Sequence, residues 1–148
     1  MIRVRRRTTA TPEQVWDVLA DGWLYAGWVV GASRMRDVDA AWPGAGARLH
    51  HSVGTWPLLV DDTTSCAAAS PPHRLQLQAR GWPAGEATVT VVVEPADDGA
   101  GGSVVTMTED ASHGPGRLVP GPVRQLAVGP RNRESLRRLV MLAEGRRA

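Results

Sequence analysis

Residues 74–111 read RLQLQARGWPAGEATVTVVVEPADDGAGGSVVTMTEDA. Apolar and polar side chains alternate with period two through Arg74–Arg80, Glu86–Glu94 and Ser103–Ala111, and the runs are parted by Gly81–Gly85 and Asp97–Gly102. This is the pattern of half-buried strands joined by tight turns, that is, of antiparallel hairpins. Leu75, Leu77 and Ala79 share one face and Gln76, Gln78 and Arg80 the other. In the next run Ala87, Val89, Val91 and Val93 oppose Thr88, Thr90 and Glu94, with Val92 the exception. In the third, Val105, Met107 and Glu109 take the inward parity.

Toward the N-terminus the same texture continues as Ser33–Asp39, Ala47–Val53 and Leu58–Ala69, separated by Pro43-Gly44, Gly54–Pro57 and Pro71-Pro72. Leu49, His51 and Val53 face inward; the last of these runs alternates too poorly for Asp61 to be given a face. The first ten residues form a further strand, with Ile2, Val4 and, by parity, Arg6 inward. Thr11-Pro12-Glu13 opens a helix with a hydroxyl N-cap, proline at its first position and an acid in its first turn. It stops at Asp21-Gly22, and a second short helix runs from Trp23 to about Val30. After Ser112–Pro122, read as an irregular, lid-like connection, helical spacing returns: Leu136, Leu139, Val140 and Ala143 form an apolar stripe with Arg131, Arg137 and Arg138 opposite. Pro130 predicts a kink or break near Gly129.

The composition bounds the function. A chain of 148 residues, 43% hydrophobic and 22% charged, suits one soluble domain spanning 1–148. One cysteine, Cys66, excludes an internal disulfide and a multi-cysteine metal site, and its place in a strand predicts an inert buried thiol. The chain reads as having no secretory signal and no membrane span, so cytoplasmic localisation is the expectation, without integral membrane association. All 17 basic residues are Arg, Lys and Phe are missing, and Ile2, Tyr25 and Asn132 are each the sole residue of their type. This bias suggests a GC-rich, actinobacterial genome. The arginines are dispersed and the net charge is only +2, which argues against nucleic acid as a partner.

Chemical motifs are sparse. His50 and His51 are adjacent on a strand and project to opposite faces, so they cannot chelate together. No His-x-x-x-His, calcium loop, phosphate loop or nucleophile elbow is present, and neither metal nor cofactor is expected. The inward titratable groups are His51 and Glu109, the candidate catalytic pair. His51 is either a satisfied core histidine or a proton-transfer residue; Glu109 either pairs with Arg6 or touches a ligand. Trp-Pro dipeptides at Trp42, Trp56 and Trp82 fall at turns, where the tryptophans either plug the barrel ends or rim a cavity mouth. The turns of Trp56 and Trp82 lie at one end of the sheet, together with the His113 loop, and Trp42 at the other.

The order of strand, two short helices, six antiparallel strands and one long helix, together with VRRRTTATPEQVWDVLAD, WLYAGWVVG, PGAGARL, PPHRLQLQAR, GSVVTMTED and RNRESLRRLVMLAEG, resembles the START/Bet v1-like (SRPBCC) superfamily, in its polyketide cyclase/dehydrase-like branch. The resemblance implies a helix-grip α+β fold: a seven-stranded antiparallel sheet wrapped around a long C-terminal helix, with a cavity between them. Members bind lipids, sterols, polyketides or other hydrophobic molecules, and a minority are enzymes. The family shares no catalytic set, so no catalytic role transfers to a residue here.

The expected ligand-contacting residues are Trp28, Leu49, His51, Trp56, Trp82, Val91, Met107 and Glu109. Three functions remain open. One is a carrier of a hydrophobic small molecule; another is a cofactor-independent cyclase, aromatase or dehydratase moving a proton through His51 or Glu109; the last is an interaction module with a collapsed cavity. The protein is expected as a monomer or homodimer. A cavity without a close acid–base pair favours the carrier, whereas a His–carboxylate pair within hydrogen-bond reach favours the enzyme.

Overall fold

A computed structural model describes residues 1–55, 57–81, 85–114, 118 and 120–145, with the side chains of residues 55, 81, 113, 121, 124, 125 and 127 left aside. Strand β1 (Ile2–Thr8) is followed by α1 (Pro12–Ala20), a 3-10 turn at Gly22–Leu24 and the single-turn α2 (Tyr25–Trp28). Then come β2 (Ala32–Val38), β3 (Arg48–Thr55), β4 (Leu58–Ser70), β5 (Arg74–Gly81), β6 (Gly85–Pro95) and β7 (Ser103–His113), and finally α3 (Gly121–Gly145). The sheet order β1-β7-β6-β5-β4-β3-β2 is an antiparallel meander from β2 to β7, with β1 joined beside β7. The helical segment after β1 carries the chain from one sheet edge to the other. The sheet wraps α3, which packs on β1, β7, α1 and α2. This is the helix-grip architecture.

Local chemistry accounts for the boundaries. Thr11 caps α1 by accepting the Gln14 N–H, while the Gln14 side chain accepts the Thr11 N–H, a reciprocal capping box. Asp21 ends α1 and its carboxylate accepts from Trp23 N, opening the next turn. The second helix is shorter than its sequence suggests: Val29 is already extended at ψ 113°, as a β-branched residue favours. On β5, β6 and β7 period two holds. Leu49, Leu75, Leu77, Val91, Val93, Val105 and Met107 are buried in one core with Val15, Val18 and Leu139.

Three expectations need correction. The helix does not break at Pro130 but continues from Gly121 to Gly145. Part of the proline penalty is a clash with the Cβ of the residue before it, and Gly129 has none, which lowers the cost of helical backbone there. Strand β7 runs on through Ser112 to His113, which pairs with Glu86, so the irregular connection begins later than predicted. The Ser112 hydroxyl accepts from Gln78 Nε2 at 2.7 Å, tying that extension to β5. Arg6 stands opposite Val105 and is exposed, whereas Glu109 faces Ile2, so the predicted Arg6–Glu109 pair does not form. A guanidinium has no reason to enter the core without an acid, and its long stem carries it to water.

Candidate functional site

Between the concave face of the sheet and the helices lies a cavity of about 530 Å³. That volume is within the usual range for small-molecule sites. The sheet contributes His51 and Val53 from β3, Thr64 from β4, Leu77 and Ala79 from β5, Ala87 and Val89 from β6, and Met107 and Glu109 from β7. Ile2 borders it from β1, Tyr25 and Trp28 from α2, and Val128, Arg131, Asn132 and Ser135 from α3. Arg80, Gly85 and Glu86 place it toward the end of the sheet where β5 turns into β6. Trp42 is at the opposite end, buried, with its indole N–H donating to Leu19 O at 3.2 Å.

Two polar clusters punctuate this apolar wall. In the first, Thr64 Oγ1 lies 3.1 Å from the Tyr25 hydroxyl and 2.9 Å from His51 Nε2. The Tyr25 ring sits 5.3 Å from the imidazole and makes an edge contact with Trp28 at 5.6 Å. His51 is only 3% exposed, and its Nδ1 has no partner among the described residues. Burial holds the His51 pKa below the ordinary histidine value; Asp62 pulls it upward, and Arg36 and His50 push it further down. Burial also raises the Tyr25 pKa, partly offset by the Thr64 hydrogen bond, so the phenol stays protonated.

In the second cluster Arg131 Nη2 lies 2.6 and 2.8 Å from the two Glu109 carboxylate oxygens. Asn132 adds a donor to Glu109 at 3.3 Å. Ser135, one turn further along α3, accepts the backbone N–H of Val30 at 3.1 Å, fixing the strand entry after α2. Glu109 is therefore occupied by a cation and an amide. His51 bonds to a hydroxyl and not to a carboxylate.

Of the residues picked from sequence, Trp28, His51, Met107 and Glu109 meet at this cavity. Leu49 and Val91 are fully buried but belong to the packed core; Leu49 lies against Gly22 near Trp42. Trp56 and Trp82 lie outside the described residues, as does the His113 side chain. His50 projects away from His51 and bonds Asp39 at 3.0 Å. Cys66 is buried with its thiol donating to Pro43 O at 3.2 Å, and burial raises its pKa. Asp61 is exposed and accepts from Ser52 Oγ at 2.8 Å.

Sequence reading missed Tyr25, Thr64, Asn132 and Ser135, and it assigned Arg131 to the solvent side of α3. A signal for Thr64 was present. A tight turn pairing Thr55 with Leu58 sets Leu49 opposite Thr64, and Leu49 was already inward. Asn132 and Ser135 extend the stripe of Leu136, Leu139 and Val140 by one turn, and all five are buried. Arg131 is an ordinary surface arginine by position, and only the carboxylate on β7 draws it in.

A family model described as polyketide cyclase / dehydrase and lipid transport matches residues 1–144. No curated protein matches the chain. Among solved structures it is similar to a protein from Rhodobacter sphaeroides, with 26% identity and a TM-score of 0.72 over 97% of this chain and 91% of that one. It also resembles Ara h 8.0201, at 12% identity and a TM-score of 0.71, with 97% of each chain covered. The di-domain ARO/CYC StfQ from the steffimycin biosynthetic pathway superposes with a TM-score of 0.74 at 11% identity, over 98% of this chain and 50% of that one. At such identities the last two speak for the fold alone.

Proposed function

Because the chain belongs to the polyketide cyclase / dehydrase and lipid transport family, we propose that it binds a hydrophobic small molecule in the cavity between α3 and the sheet. The observation that carries this reading is the cavity itself, about 530 Å³ with walls from Val53, Leu77, Val89, Met107, Trp28 and Val128. Apolar surface on both cavity and ligand leaves water on binding, which is the main driving force at such sites.

Binding is favoured over proton-transfer catalysis by the state of the two titratable groups. A general acid needs a carboxyl free to hold a proton, and Glu109 is engaged by Arg131 and Asn132. A histidine base is strengthened by a carboxylate that stabilises its protonated form, whereas the hydrogen-bond partner of His51 is the Thr64 hydroxyl and burial lowers its pKa. Neither forms an acid–base pair with the other.

Binding of the uncharged dye Nile red tests the reading. Met107→Arg places a guanidinium against Val91 and Val4, its neighbours across the sheet, and so into the cavity wall. Dye binding should fall by at least about tenfold, the factor that ~1.4 kcal/mol of lost affinity represents. Undiminished binding by a folded Met107→Arg protein would overturn the proposal.

A further inference from the structure

Six of the nine large apolar side chains that stand exposed among the described residues fall in two short stretches, 58–60 and 118–126. Leu58, Leu118 and Leu126 are 81%, 86% and 80% exposed, so the fold gives them almost nothing to pack on. Both stretches border the same end of the cavity. Val60 stands opposite Val53, which lines the cavity, as does Val123 on the first turn of α3. The β3–β4 and β5–β6 turns are two chain reversals apart and so share that end, and β7 leads into α3 there. Apolar side chains exposed as a group beside an apolar cavity mark an interaction surface, not the single scatter of an ordinary protein exterior.

Charge decides the partner. On the strand ends, Asp61, Asp62 and Glu86 are held by Arg36 and Arg80 at 3.5 to 3.8 Å, one acid in excess. Residues 111–133 carry Arg117, Arg124, Arg131 and Arg133 and no carboxylate, and of these Arg131 is matched by Glu109. Three arginines then outnumber one acid, and the balance at this end is basic. Two copies meeting through this face would bring like charges together, which disfavours self-association. An apolar tip with surplus arginines suits a bilayer interface, where apolar side chains enter the acyl boundary and guanidinium groups meet anionic head groups. We propose that this end of the protein docks on the surface of an anionic phospholipid bilayer, led by Leu58, Leu118 and Leu126. The docking stands on exposure and charge. Its use rests on the cavity being a binding site, because an apolar ligand then passes between bilayer and cavity without crossing water.

Co-sedimentation of the full chain with vesicles tests this. The parent should bind vesicles of equal parts phosphatidylcholine and phosphatidylglycerol at least about tenfold more tightly than vesicles of phosphatidylcholine alone, since each arginine near an anionic surface contributes about fivefold. Leu58→Glu combined with Leu126→Glu should lower binding to the anionic vesicles by at least about tenfold. Met141→Glu, at an exposed position on the far half of α3, should leave it unchanged. Neither Leu58 nor Leu126 lines the cavity, so without vesicles the double variant should take up Nile red as the parent does, which also reports an intact fold. No binding to either vesicle, equal binding to both, or an equal loss in Met141→Glu overturns the docking proposal and leaves cavity binding intact. Self-association of the parent that the double variant abolishes assigns the face to a second copy and likewise overturns it. Failure of the parent to bind Nile red overturns the cavity reading, while the vesicle result still decides the docking.

Discussion

Glu109 on β7 and Arg131 on α3 are clasped across the cavity edge, with one guanidinium nitrogen 2.6 and 2.8 Å from the two carboxylate oxygens. The contact ties the helix to the last strand at the point where the sheet face would otherwise present a lone carboxylate beside Ile2 and Val89.

Glu109 is 15% exposed and Arg131 41%, so this pair is intermediate between a surface contact and a sealed one. Among the described residues, Arg131→Ala leaves the acid with only Asn132. A destabilisation of about 1–3 kcal/mol is expected, between surface and buried pairs. Arg6→Ala, at an exposed position, should stay within about 0.5 kcal/mol of the parent. Urea denaturation of both variants checks the contrast, and equal losses would contradict the assignment of Arg131 as the partner.

Thr64 is fully buried and serves two polar groups at once. Thr64→Val preserves shape but strands the Tyr25 hydroxyl and His51 Nε2. At about 1–3 kcal/mol for each group, a loss of about 2–6 kcal/mol is expected. Thr64→Ser keeps the hydroxyl and removes one methyl, at a cost of about 1 kcal/mol. Thermal and chemical denaturation of the two variants should separate them in that order.

Stability should depend on pH through His51. Its folded pKa is depressed, chiefly by burial, so between that value and the unfolded value near 6.5 the unfolded chain binds more protons. The contribution of neutral His51 is therefore fully present above about pH 6.5 and is lost as pH falls through the depressed folded pKa. In His51→Gln this part of the slope disappears. Parallel denaturation series from pH 7.5 downward should show the parent losing stability more steeply; identical slopes would contradict the buried neutral imidazole.

Gly22 begins the turn between α1 and α2 beneath the floor of the sheet. A Cβ there would come within 2.6 Å of Leu49 Cδ2 and 2.7 Å of Val38 Cγ1. Leu49 is fully buried and has little room to retreat. Gly22→Ala should cost about 1–3 kcal/mol by overpacking, although alanine is the better helix former. A neutral or stabilised Gly22→Ala protein in a melting experiment would show that the Leu49–Val38 contact is loose.

What the sequence by itself determined was the layering. Period-two runs such as Leu75, Leu77, Ala79 and Val89, Val91, Val93 commit each strand to one buried face, because a slip by one residue would expose every apolar side chain. Turn residues at Pro71-Pro72 and Asp97–Gly102 then leave antiparallel hairpins as the available connection, and the stripe Leu136, Leu139, Val140, Ala143 needs that sheet to cover it. Strand β4 shows where local pattern runs out: its residues 58–64 read LLVDDTT and do not alternate apolar with polar, so the faces of Asp61 and Thr64 follow from pairing with β3 and not from their own neighbours.

The polar clusters were decided only by tertiary structure. Tyr25 and Thr64 are 39 residues apart and come together only when α2 packs beside β2 and α3 at the cavity that β4 also lines. Seventeen arginines are chemically equivalent candidates for Glu109, and the choice of Arg131 over Arg6 depends on the rotation of α3 against β7. Hydrophobic periodicity records which side of an element faces the core. It carries no information about which distant hydrogen-bonding partner lies across the gap, because that is set by the register and helix rotation that packing alone selects.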